Sequence, residues 1–139
     1  MRTIVGYGND LRGEDAFGVD VIKELQNYKI DKTKLISQFQ LTPEIVLELL
    51  DSDEIIFVDA TYSLKNHYAL ACNRYEKNNS NLSHHIEPIE IMTILNSVYK
   101  KYPNFQIFSM LTNNFETILN MKLYKQNIKT IVKFLASKA

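Results

Sequence analysis

Short apolar runs alternate along this chain with stretches in which apolar residues return every three or four positions. Thr3 to Tyr7 is a short apolar run, interrupted by glycine, that reads as a strand. From Asp15 to Tyr28 the residues Phe17, Val21, Leu25 and Tyr28 fall on one face of a predicted helix. Lys34 to Leu41 alternates and reads as a second strand. Thr42-Pro43-Glu44 then carries a helix-start signal: a capping hydroxyl, a proline suited to the first helical position, and a carboxylate at the positive end. This helix is expected to run to about Leu50.

Glu54 to Asp59 is nearly continuous in apolar residues, as in central parallel strands covered on both faces. Tyr68 to Tyr75 is expected to be a strand lying antiparallel to it. Pro88 opens an amphipathic helix with Ile91, Ile94, Leu95 and Val98 on its apolar stripe. Phe105 to Leu111 reads as the last strand. Thr117 to Leu135 reads as a closing helix with Met121, Ile128, Ile131 and Leu135 inward.

This order of strands and helices predicts an α/β sandwich with a mostly parallel sheet. In open sheets of this type ligands bind beyond the carboxyl ends of the strands. Asp15 and Asp59 follow the first and third strands, so both are expected at that edge. The length of 139 residues fits one domain spanning the whole chain.

Sixteen basic and sixteen acidic residues cancel, which argues against a nucleic-acid binder. The lysines from Lys122 to Lys138 follow a helical pattern and read as a solvated face. Cys72 is the single cysteine, so no intramolecular disulfide forms, which fits a reducing cytoplasm. Met1-Arg2-Thr3-Ile4 lacks the apolar core of a signal peptide, and no apolar stretch is long enough to cross a bilayer. The expected protein is cytoplasmic, monomeric and free of membrane.

Gly6-Tyr7-Gly8-Asn9 is not a dinucleotide fingerprint. The third glycine is missing, and Glu14 and Asp15 would repel a phosphate. The glycines fit a tight turn that passes close to a neighbour. Glu14 and Asp15 open a helix, where acids complement the dipole and cap free N–H groups. Asp59 closes a buried strand, and a carboxylate there must be solvated, paired or ligating. His85 lies in the polar stretch Asn81-Leu82-Ser83-His84-His85; His84 and His67 compete with it as the imidazole at this edge. Two carboxylates and an imidazole make a site for a divalent ion such as nickel, zinc or manganese. No CxxC, HExxH or GxSxG pattern occurs, and Cys72 has no neighbouring base.

Together these pieces resemble the hydrogenase maturation endopeptidases. The glycine-rich first loop of that family is matched by the run from Gly6 through Asp15 to Gly18. Leu41-Thr42-Pro43-Glu44, Val58-Asp59-Ala60 and Ser83-His84-His85 match further segments in order. The resemblance implies a three-layer α/β/α sandwich with a twisted, mostly parallel five-stranded sheet. It implies an aspartic-type peptidase that removes the C-terminal extension of a nickel-iron hydrogenase large-subunit precursor once nickel is inserted. Asp15 and Asp59 would be catalytic, and Asp15, Asp59 and His85 would meet the metal. The metal is nickel carried by the substrate, with zinc, cadmium or manganese as substitutes in vitro. Glu14 and Asp10 are the spare acids.

Two other classes fit parts of the pattern. Acids after the first strand and an aspartate at the third also describe a magnesium-dependent, phospho-accepting receiver domain. That class needs a lysine ending the last strand, and Phe108-Ser109-Met110-Leu111 has none. A relative of the peptidase that binds a partner without cutting it is the other alternative.

Overall fold

Every side chain in Ile55-Ile56-Phe57-Val58 is fully buried, so the strand that carries them needs cover on both faces. The computed structural model, which describes residues 1–73 and 86–137, supplies it. In chain order the elements are β1 (Arg2–Tyr7), α1 (Phe17–Leu25), β2 (Thr33–Gln38), β3 (Glu54–Tyr62), β4 (Leu70–Cys72), α2 (Pro88–Ser97), β5 (Asn104–Thr112) and α3 (Met121–Ser137). Two 3-10 turns, Gly13–Ala16 and Pro43–Glu48, precede α1 and β3.

The sheet order is β2-β1-β3-β5-β4. The first four strands run parallel, and β4 lies antiparallel on the outer edge of β5. Strand alternation sends Ile4, Ile56, Val58 and Met110 to one face, where α1 and α3 cover them through Phe17, Ile22, Val132 and Leu135. Val5, Phe57 and Ile107 point to the other face, against α2 and the 3-10 turn through Ile91, Leu95 and Ile45. The result is the expected α/β/α sandwich with five strands, mostly parallel.

Four local expectations need correction. The helix predicted from Thr42 to Leu50 is a 3-10 turn. Of the strand expected from Tyr68 to Tyr75, the described residues form strand only over Leu70–Cys72, and Arg74 and Tyr75 lie outside them; it pairs with β5 rather than β3, because both edges of β3 are already occupied by β1 and β5. Asp59 does not end its strand: Asp59 to Tyr62 pair in register with Ser109 to Thr112. The last helix begins at Met121 instead of Thr117, since Asn120 caps it by accepting the Leu123 N–H at 3.1 Å. Met121, Val98 and Tyr28, expected inward, are exposed. No helix among the described residues is long and apolar enough to cross a membrane.

Candidate functional site

The edge at the carboxyl ends of β1 and β3 is where the chain order reverses across the sheet, from β2 on one side to β5 on the other. Such a switch point opens a crevice. The turn leaving β1 enters it along a path that only glycine permits. A Cβ on Gly8, whose φ is +148°, would overlap the Asp15 carbonyl oxygen. Two residues earlier, within β1, a Cβ on Gly6 would overlap the carbonyl oxygen of Gly18 on α1. The turn therefore folds back on the start of the helix, and the Asn9 N–H donates to Oδ2 of Asp15 at 3.2 Å.

Asp59 points to the α2 face, level with Tyr7 on β1 and Ser109 on β5. The Tyr7 hydroxyl donates to Oδ2 at 2.5 Å, and the Ser109 hydroxyl donates to Oδ1 at 2.5 Å. Thr61, two residues along the same face, donates to Oδ1 at 3.3 Å. Burial pushes the Asp59 carboxyl above its ordinary range; the hydroxyl donors oppose this and the charge of Asp15 adds to it. Burial and the Asp59 charge together push the Tyr7 phenol far above its usual range, so Tyr7 remains a donor. The charge of Asp15 thus acts on both residues, as the smallest of the contributions to each.

A third carboxylate joins them that the sequence reading did not single out. Glu87 caps α2, and its side chain and that of Glu90 form a reciprocal capping box, with the Glu87 N–H donating to Glu90 at 3.0 Å. Burial raises the Glu87 carboxyl, and the charge of Asp59 raises it further. Glu87-Pro88 with Glu90 three positions on is a helix-start signature in the sequence itself. Such a start places an acid beside the sheet edge.

Glu14 does something different from its neighbour. It stands in the first turn, as expected of a helix-start acid, but its hydrogen bonds go to His67, Tyr68, Thr112 and Leu119, outside that turn. The side chain is 0% exposed and sits on the α3 face. It accepts from the Tyr68 and Thr112 hydroxyls and from the Leu119 N–H at 3.2 Å, and its Oε1 lies 2.8 Å from Nε2 of His67. Burial would raise this carboxyl, but the hydrogen bonds outweigh burial and hold it below the usual range. His67, a competitor for the metal site, is occupied here and stacks on Tyr68 with ring centroids 3.9 Å apart. Asp10, the other spare acid, is exposed.

His84 and His85 lie outside the described residues. Among the described residues no group of three or more His, Cys, Asp and Glu side chains is placed to hold a metal ion. A hollow among Leu50 to Asp53 and Lys101 to Pro103 lies at the opposite ends of β3 and β5, away from these acids. The receiver alternative loses support from the sheet. Receivers have the order 2-1-3-4-5, whereas this chain has β5 inside and β4 antiparallel at the edge.

No protein-family model and no curated protein sequence matches the chain. Solved structures do. The nickel-iron hydrogenase maturation protease HycI from Thermococcus kodakarensis aligns with a TM-score of 0.72 at 22% identity, covering 98% of this chain and 90% of its own. The hydrogenase maturating endopeptidase HybD from Escherichia coli aligns with a TM-score of 0.71 at 16% identity, covering 99% and 93%. The hydrogenase 2 maturation peptidase from a Thaumarchaeota archaeon aligns at 0.67 with 16% identity, covering 99% and 96%. Likeness at these identities establishes a shared fold over the whole length, the fold that the first-loop resemblance implied.

Proposed function

We propose that this chain is a peptidase that removes the C-terminal extension of a nickel-iron hydrogenase large-subunit precursor. Asp15 and Asp59 form its working edge. The observation that carries this is the Asp59 carboxylate, half-buried at the sheet's switch point under three hydroxyl donors, with the charge of Asp15 on the neighbouring turn acting on it. Both carboxylates are half-buried at the sheet edge, and carboxyl groups whose proton affinity is raised by desolvation and by a like charge concentrate at functional sites. The shared fold with structures of hydrogenase maturation proteases supports the same conclusion.

In this proposal the nickel belongs to the substrate. Asp15, Asp59 and His85 present two oxygens and an imidazole to it, a donor set suited to nickel and also to zinc, cadmium or manganese. Hydrolysis adds water across the scissile amide: a C–O bond forms, the C–N bond breaks, and the leaving nitrogen gains a proton. Asp59, its affinity for protons increased by burial, is suited to take the proton from water and return it to the amine. Tyr7 and Ser109 fix the carboxylate for that exchange. Glu14 takes no part as a base: it is fully buried on the other face of the sheet, and its hydrogen bonds hold its proton affinity below the usual range.

The test is to incubate the protein with the large-subunit precursor of its own host's hydrogenase, nickel-loaded and nickel-free. Cleavage of the loaded precursor alone is the expected result. Binding without cleavage of either form would establish the partner-binding alternative.

A further inference from the structure

We propose that Glu14 is the positioning residue for Asp15, acting through a buried clasp that ties together the segments following β1, β3 and β5. Asp59 stands on a rigid strand, but Asp15 stands on a turn, and something must hold the turn in register with the strand. The clasp has the parts for this. Tyr68 and His67 come from the segment after β3, Thr112 ends β5, and Leu119 lies just before α3; all four meet the Glu14 carboxylate. The Asp15 N–H, bonded to the Arg12 carbonyl at 2.8 Å, also points to the Phe115 carbonyl at 3.3 Å. Gly13 lies so close to Glu116 and Thr117 that a Cβ would overlap their backbone.

Tyr68 shows how strongly this arrangement is determined. Its φ is +67°, a left-handed conformation unfavourable for an aromatic residue, and such strain persists only where surroundings fix it. Its N–H donates to the Leu111 carbonyl at 2.7 Å, and its carbonyl accepts from the Asn127 side chain at 2.8 Å. Its hydroxyl, besides serving Glu14, accepts the Asn120 N–H at 2.6 Å, where α3 is capped. Consecutive acids therefore divide the work. Glu14 turns to the α3 face and anchors, which leaves Asp15 on the Asp59 side.

This inference rests on the site proposed above, so its test separates the two. Tyr68→Phe and Thr112→Val each delete one hydroxyl with little change of shape. In cleavage of the nickel-loaded precursor the double variant is expected to lose roughly tenfold or more in kcat, with KM changed less than about twofold. Glu14→Ala is expected to lose on the order of a hundredfold in kcat, and Glu14→Gln, which keeps an acceptor for the Leu119 N–H, to recover most of it. Amide exchange in the protein alone gives a readout independent of cleavage. Exchange at Asn9 and Asp15 accelerates in the double variant, while exchange at Ile56 and Phe57 does not. A folded double variant with parental kcat and unchanged exchange at Asp15 overturns the proposal, as does a Glu14→Gln as inactive as Glu14→Ala. Should Glu14→Ala not fold, the two hydroxyl deletions decide alone. Unimpaired cleavage by Asp15→Asn overturns the site itself; its loss beside an unaffected double variant overturns only the clasp.

Discussion

The Tyr7 hydroxyl donates to Oδ2 of Asp59 across 2.5 Å, joining the last residue of β1 to a carboxylate within β3. The two strands lie in parallel register, so neither partner can move without shifting the sheet. That bond lowers the proton affinity that burial imposes on Asp59. Tyr7→Phe is therefore expected to move the acidic limb of the pH–kcat/KM profile to higher pH. At neutral pH it should lower cleavage by roughly tenfold, the usual scale for a hydrogen bond to a charged group. An unmoved acidic limb would detach Tyr7 from the ionisation that matters.

Asp59 and Glu14 give opposite pH dependences of stability. The folded state raises the proton affinity of Asp59, so its ionisation weakens the fold as pH rises from about 4, the unfolded value, through its folded value. Asp59→Asn removes that penalty. It is expected to melt above the parent at pH 7 and level with it below about pH 4.

Glu14 is depressed by its hydrogen bonds, so its contribution is complete above about pH 4.3 and is lost as pH falls through the folded value. Glu14→Gln is accordingly expected to be less stable than the parent by about 1–3 kcal/mol at pH 7 and to converge with it in acid. Thermal melts of both variants between pH 7 and pH 3 check the two signs together.

The Gly8 turn tolerates no side chain. Gly8→Ala is expected to cost about 1–3 kcal/mol, from strain at φ +148° and overlap with the Asp15 carbonyl. Because the overlap falls on Asp15 itself, cleavage is expected to drop further than stability does. Urea titration beside the cleavage rate measures both.

The Arg12–Glu116 ion pair closes the same turn from outside, with both side chains exposed. Exposed pairs contribute less than about 1 kcal/mol. Glu116→Gln is expected to leave the melting midpoint nearly unchanged, in contrast to the buried variants above.

Much of this was legible in the residues. The continuous apolar run from Ile55 to Val58, the helical spacing of Phe17, Val21 and Leu25, and the punctuation at Gly6 and Gly8 suffice for the layers and for the edge that carries Asp15 and Asp59. Three of the errors share a physical origin, pairing and bonding partners far away in sequence. Thr61 and Tyr62 look like loop residues, yet β5 holds them in the strand. The segment after Tyr68 looked like a partner for β3, but β5 had already taken that place. Glu14 looked like a helix-start acid equivalent to Asp15. Its role depends on His67, Tyr68, Thr112 and Leu119, which only the fold brings together. Glu87 is marked locally, by the capping signature with Glu90, but that signature speaks of a helix start and not of the neighbouring Asp59.

The most direct measurement is the rate at which Asp15→Asn, Asp59→Asn and the double variant cleave a nickel-loaded hydrogenase large-subunit precursor. If the two carboxylates act as one site, each single variant loses at least about a hundredfold, and the double variant loses little more than either. Parental cleavage by Asp59→Asn, or losses that simply multiply in the double variant, would contradict a shared site.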